Sequence, residues 1–361
     1  MANRTGIYYW KCDRPDAFFA IKGQADNIQL DKGVREMVSA FFGEDVPIRK
    51  ACGQGNHLTF LADHGGRTYF IRVENGSDGD DYMEVEATVL KMVKGKGVPV
   101  PEIFAVDSSR SVWPFAYQIM ENMPYEDLNR LARSEKLDVP RIMSRLGALV
   151  ASWQNLEFKG FGPFNAEKLR SEGILEGLHK TYAEYYFLNM SRHLDFLEKR
   201  EFLTHAQCAH IMELAKEYSR LLELRQGCLV HKDLALWNVL GDRESIKAVI
   251  DWDDSICGDP VDDLSLMGCF HSGEELSCLI KGYESVRPLP ENFEKRFWLH
   301  LMRNMIFKAV IRVGAGYFDR GGDFFLSDDG DRLKATTISR INAAVAGLEG
   351  RMNIFVIFSQ L

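Results

Sequence analysis

No stretch of this 361-residue chain approaches the roughly 20 consecutive apolar residues that span a bilayer, so no membrane-spanning helix is expected. Its seven cysteines are odd in number, lie scattered from Cys12 to Cys278 and form no CxxC pair. That pattern disfavours a disulfide scaffold or a zinc ribbon and fits buried, reduced thiols. Positive charge is in the minority: 44 Lys and Arg stand against 52 Asp and Glu, a net charge of −8. A nucleic-acid groove or an anionic membrane surface is a poor main partner for such a chain. The first residues, MANRTGIYYWKCDRPDAF, lack the apolar centre of a secretion signal, so a cytoplasmic location is expected. There is no internal repeat and no low-complexity tract.

Hydrophobic residues make up 46% of the chain and charged residues 27%, the balance of a globular protein long enough for two domains. Residues 1–45 read as an extension ending in a helix, with Val34, Met37, Val38 and Phe41 at helical spacing. Residues 46–124 then change period. HLTFLAD and RTYFIRV flank a Gly-Gly turn and predict a hairpin. A helix over DDYMEVEATVLKMVKGKG and strands in VPVPEIFAVD and PFAYQIMEN complete a small sheet with one helix. From 125 to 361 the pattern is mostly helical, with a helix opening at Asp138 and Pro140 and long helical patterns over 166–225 and 274–361. Between those two lies a strand-rich island, CLVHKDLALWNVLGDRESIKAVIDWDDS. The whole predicts an α+β, two-lobed plan, with the cleft between lobes as the ligand site.

The island carries the chemistry. His231-Lys232-Asp233 is followed five residues later by Asn238, and Val249-Ile250-Asp251-Trp252 follows with Asp253. Short apolar strands deliver two carboxylates and an amide oxygen to neighbouring loops. Phosphoryl transfer needs one carboxylate for the acceptor hydroxyl and hard oxygen ligands for Mg²⁺. Upstream, Cys52-Gly53-Gln54-Gly55-Asn56-His57 links two strands, and Gly53, Gly55 and Asn56 there would let backbone N–H groups approach phosphates.

HKDLALWNVL and VIDWDDSICGDPVDDLS resemble the catalytic segment of the aminoglycoside phosphotransferase and choline kinase-like superfamily, over roughly residues 46–270. The resemblance implies a protein-kinase-like fold, with a small β-rich N-lobe for the nucleotide and a larger helical C-lobe for catalysis and the acceptor. It implies Asp233 as the catalytic base and Asn238 and Asp251 as Mg²⁺ ligands, with Asp253 as a further ligand. Asp263 would cap the next helix and brace the catalytic loop. Arg72 stands where the superfamily places a phosphate-binding lysine, Glu86 resembles its helix partner ahead of Glu84, and Glu121 to Met123 resemble the adenine hinge. Two departures are clear: Lys232 fills a place usually held by glycine, and Gln154 one often held by histidine, where a structural role is expected. Gly160–Phe164 is expected to form a turn.

The function so implied is an ATP- or GTP-dependent small-molecule kinase acting on a hydroxyl of a sugar, aminosugar, aminoglycoside or amino alcohol. The oligomeric state stays open. A protein kinase is the rival reading, disfavoured because Trp252-Asp253 replaces Phe-Gly and no A-P-E segment follows at activation-loop distance. A non-catalytic pseudokinase is the other. Acceptor specificity would come from groups such as Tyr182, Tyr185, Tyr186, Tyr317, Asp319, Asp323, Asp328 and Asp329, which could equally be core and solvated surface.

Overall fold

The computed structural model describes residues 4–14, 28–51, 57–74, 79, 81–322 and 324–354. The small lobe is a five-stranded antiparallel sheet in the order β1-β2-β3-β5-β4. Its strands are β1 (Ile48–Lys50), β2 (Leu58–His64), β3 (Arg67–Val73), β4 (Ile103–Asp107) and β5 (Tyr117–Glu121). Gly65 and Gly66, at φ 57° and 76°, make the two-residue turn between β2 and β3, a conformation that other residues reach only with strain. After a first short helix, α1 (Trp10–Asp13), the helix α2 (Ile28–Phe42) lays Val34, Met37 and Val38 on one sheet face. Ile71 and Val73 of β3 join that core, so by strand alternation Arg72 points to the opposite face. There α3 (Tyr82–Lys94) packs, tied to β5 by the Gln118 side chain donating to the Met83 carbonyl at 2.7 Å.

The large lobe begins with the short strand β6 (Glu126–Asp127), α4 (Leu128–Arg133) and α5 (Val139–Trp153). Asp138 caps α5 through the Arg141 N–H. Next come β7 (Glu157–Phe158), β8 (Phe161–Phe164), α6 (Ala166–Glu172), β9 (Gly177–His179), α7 (Tyr182–Phe187), α8 (Met190–Lys199) and α9 (His205–Glu217). The expected long helical stretch over 166–225 is thus four shorter helices interrupted by a strand. The expected turn at Gly160–Phe164 is largely a strand, because Pro163 and Gly162 pair with Ile256 and Cys257, about ninety residues on.

The chain continues through β10 (Gly227–Val230), β11 (Val239–Gly241), β12 (Ile246–Val249) and β13 (Ile256–Gly258). It ends with α10 (Val261–Met267), α11 (Gly273–Glu284), α12 (Phe293–Gly314) and α13 (Gly330–Leu348). The strands form two sheets, β7-β10-β13-β8-β9 and β12-β11-β6. The loop from β10 to β11 carries Asp233 and Asn238, and the loop from β12 to β13 carries Asp251 and Asp253. Helices α5 and α11 cross closely: a methyl on Gly147 would overlap the Leu279 carbonyl, and one on Gly282 the Ser144 carbonyl. The central helix α12 is buried on nearly every side, His300, Arg303, Asn304 and Lys308 included. Among the described residues no helix is long and apolar enough to cross a membrane.

Candidate active site

The two loops are locked from behind. Asp263 accepts the backbone N–H groups of His231 (2.9 Å) and Lys232 (3.1 Å) and the Trp153 indole N–H (3.1 Å). Pro260, and not Asp263, occupies the N-cap position of α10, so this aspartate braces the β10–β11 loop from inside the helix instead of capping it. Burial pushes its carboxyl up to about 7. His231 bonds the Ile250 carbonyl through Nε2 at 2.9 Å, and Ile250 N–H donates to the Asn238 carbonyl at 3.0 Å. One loop therefore sets the height of the other. Gln154 is structural as expected, donating to the Pro260 carbonyl at 2.8 Å and accepting from the Tyr283 hydroxyl at 2.8 Å.

Lys232 has φ 69°, in the left-handed region that favours glycine. Its ammonium turns away from the site into a buried pocket. There it donates to Asp262 at 2.7 Å, the Tyr8 hydroxyl at 3.0 Å and Asn304 at 3.2 Å. The usual glycine of this place thus has a backbone reason, and this chain offsets the strain with a buried ion pair. Asp251, at φ 67°, adopts the same backbone region, which aspartate tolerates better than most residues.

At the front, Asn238 Nδ2 donates to the Asp233 carbonyl at 2.8 Å and faces its Oδ2 at 3.3 Å. Both contacts use the nitrogen, so the amide oxygen is presented on the other side. Asp233 is almost fully buried, and burial raises the pKa of its carboxyl. Lys11, 3.1 Å from Oδ2, and Lys308, 3.9 Å from Oδ1, outweigh that, so the group titrates below the ordinary aspartate range. Asp251 goes the other way: desolvation and the neighbouring Asp253 charge hold its carboxyl well above the usual value.

The small lobe contributes a cation. Arg72 Nη1 lies 2.5 Å from Glu86 Oε2, and its Nη2 reaches His57 Nδ1 at 2.8 Å, Asp253 at 3.4 Å and Asp251 at 3.8 Å. Glu84, two residues from Glu86, instead pairs with Arg170 at 3.2 Å. Glu121 ends β5 and Met123 follows in the connection between the lobes, with its carbonyl accepting from Tyr125 N–H at 2.8 Å. Gly53, Gly55 and Asn56 lie outside the described residues. The structure thus brings Arg72, Glu86, Asp251 and Asp253 together, with Asp233 and Asn238 on the neighbouring loop.

Some groups offered for acceptor specificity are core. Tyr182, Tyr185 and Tyr186 are buried, donating to Asp262, the Tyr8 carbonyl and the Leu299 carbonyl. Asp329 caps α13. Asp323 lies outside the described residues. The sequence reading missed four groups of the site: Tyr9, whose side chain hydrogen-bonds Asp233, and Lys11, both from the N-terminal extension, Lys308 from α12, and His57 beside Arg72. The aromatic tract Tyr8-Tyr9-Trp10 was the available signal.

The sequence pattern of the phosphotransferase enzyme family (APH) matches residues 50–284, more than half of the chain. The chain belongs to this family. A hygromycin-B 4-O-kinase of Escherichia coli is 26% identical over 206 residues, covering 55% of this chain and 55% of the relative. The chain thus spans about half the length of that curated relative. Among solved structures, a thermostable mutant of aminoglycoside phosphotransferase APH(4)-Ia, in ternary complex with ADP and hygromycin B, has a TM-score of 0.63. The match covers 87% of this chain and 98% of that one at 19% identity. A fructosamine-3-kinase-like protein of Haemophilus somnus matches with a TM-score of 0.58 at 11% identity, covering 87% of this chain and 100% of its own. At these identities the likeness shows the fold: an N-terminal β-rich lobe and a helical C-terminal lobe, as in protein kinases.

Proposed function

We propose that this phosphotransferase family member moves the γ-phosphoryl group of ATP or GTP onto a hydroxyl of a small sugar-like, aminosugar, aminoglycoside or amino-alcohol acceptor. In this reading residues 46–124 form the nucleotide lobe and 125–361 the catalytic and acceptor lobe. The observation that carries it is the pairing of Asp233 with Asn238 on one braced loop, facing Asp251 and Asp253 beside the Arg72–Glu86 pair. Family membership and the names of the relatives support the acceptor class.

Asp233 is the base. It is ionised at neutral pH and rigidly held, which suits orienting a hydroxyl and taking its proton as the new P–O bond forms. Arg72 positions the nucleotide phosphates, and Glu86 fixes its guanidinium. Gly53, Gly55 and Asn56 would approach the phosphates from the β1–β2 connection, and the backbone of Glu121 to Met123 would meet the base. Asn238, Asp251 and Asp253 fit Mg²⁺: the Asn238 amide oxygen is presented away from Asp233, and burial together with the neighbouring Asp253 charge holds Asp251 well above its ordinary pKa. Such a site is completed by a divalent cation, which would supply charge neutralisation of the nucleotide phosphates.

The test is an assay of MgATP and MgGTP against a panel of hydroxylated small molecules, with the phosphorylated product identified by mass. Stoichiometric nucleoside diphosphate and phospho-acceptor support the reading. Tight nucleotide binding with no transfer to any acceptor would favour a non-catalytic module.

A further inference from the structure

The site contains a cation delivered from the opposite end of the chain. Residues 4–14 run over the large lobe and are fastened along their length. Tyr8 is 2% exposed, stacks on Tyr185, lies under the Arg303 guanidinium and accepts from Lys232. Tyr9 is 3% exposed and stacks on Phe307 with ring centres 4.4 Å apart. Asp13 accepts the Tyr8 and Tyr9 N–H groups at 2.9 and 3.2 Å, pairs with His193 at 2.8 Å and meets Arg192. Arg4 donates to the Asp253 carbonyl at 2.8 Å and to Asp254 at 3.2 Å. In α1 every residue is buried except Lys11, whose ammonium sits 3.1 Å from Asp233 Oδ2.

An ion pair on a catalytic base has two contrasting meanings. A plug would block the base and leave when substrate arrives. Leaving here would strip Tyr8 from Lys232 and Arg303 and Asp13 from His193, exposing a core that also supports the catalytic loop. The segment is built to stay, so Lys11 is present during turnover. Partial burial works against its charge, and the carboxylates of Asp233, Asp251 and Asp254 outweigh that, keeping the amine protonated.

We propose that Lys11 is a catalytic residue that binds an oxygen of the γ-phosphoryl group as it passes to the acceptor. The proposal rests on the phosphoryl-transfer reading above. When the acceptor hydroxyl takes its place on Asp233, the Lys11 ammonium lies one hydrogen-bond length from that carboxylate, on a flexible stem. The acceptor oxygen forms a bond to phosphorus as its proton goes to Asp233. The bond from phosphorus to the bridging oxygen breaks, and its electron pair leaves with the nucleoside diphosphate. Negative charge spread over the transferring oxygens is what a fixed cation stabilises, and Lys11 keeps its proton throughout.

The experiment uses the full chain, Lys11→Met and Lys11→Arg, and measures MgADP affinity with and without aluminium fluoride, a planar mimic of the transferring phosphoryl group. Thermal melting checks folding. The wild type should bind MgADP more tightly with fluoride. Lys11→Met should lose most of that gain, a factor of about 10² for one lost charge-stabilising donor, with MgADP alone unchanged. Lys11→Arg should keep part of it. A full fluoride gain in Lys11→Met overturns the role of Lys11 and leaves the kinase reading standing. No fluoride gain in the wild type overturns both. Faster MgATP turnover by Lys11→Met than by the wild type overturns it in favour of a plug.

Discussion

Glu86 reaches from the small lobe to accept the backbone N–H of Trp252 in the large lobe at 3.1 Å, while its other oxygen holds Arg72 at 2.5 Å. One buried carboxylate thus sets both the Arg72 guanidinium and the loop that carries Asp251. Removing it takes away the shortest ion pair of a nearly buried guanidinium, so Glu86→Ala should destabilise the protein by about 3 kcal/mol. It should also raise the nucleotide KM. Arg72→Ala should lower kcat as well, with partial recovery in Arg72→Lys. Residues acting as one pair couple, so the two alanine substitutions should be sub-additive in kcat/KM for nucleotide. Strict additivity in a double-mutant cycle would show that the pair does not act as a unit.

Asp251 lies in the loop just after β12, 3.8 Å from Arg72. Asp251→Ala should remove the Mg²⁺ dependence of nucleotide binding, which calorimetry with and without the metal reads directly. The remaining affinity should match that of metal-free nucleotide for the wild type. An unchanged Mg²⁺ requirement would place the metal elsewhere.

Lys232 tests how the chain tolerates its departure from glycine. Lys232→Gly relieves a left-handed backbone worth about 1 kcal/mol. It also leaves Asp262 buried without its cation, a loss of about 3–5 kcal/mol. The net expectation is destabilisation by about 2–4 kcal/mol in urea unfolding. Adding Asp262→Asn should recover most of it. Wild-type stability in Lys232→Gly alone would mean that the ion pair contributes nothing.

Much of this was legible in local pattern. The Gly65-Gly66 hairpin, the helix carrying Glu86 and the two catalytic loops follow from turn chemistry, periodicity and motif spacing. What was not legible depends on contacts distant in sequence. Phe161–Phe164 is a strand because β13 pairs with it, and no local signal distinguishes it from a turn. Tyr9 and Lys11 join the site because Tyr8 and Asp13 find partners on α8 and α12 and in the catalytic loop, some 180 to 300 residues away. Lys308 reads as one of several charged residues of its helix until Asp233 is placed beside it.

Lys308 offers a pH test. Burial lowers its ammonium from 10.5 to about 8, against the pull of Asp233. Between those values the unfolded chain binds a proton that the folded protein has released, so this group makes stability rise with pH. Lys308→Met should therefore be more stable than the wild type at pH 7. The gap should shrink by up to about 3 kcal/mol as pH approaches 10. A gap that stays constant from pH 7 to 10 would contradict a depressed ammonium at this site.

The central claim concerns Asp233, and the measurement that tests it is the single-turnover rate of phosphoryl transfer from MgATP to an acceptor by Asp233→Asn, with nucleotide affinity measured in parallel. The account predicts a transfer rate lower by roughly 10²–10⁴-fold with nucleotide affinity preserved, as expected when a general base is lost. A folded Asp233→Asn protein that transfers at the wild-type rate would contradict it.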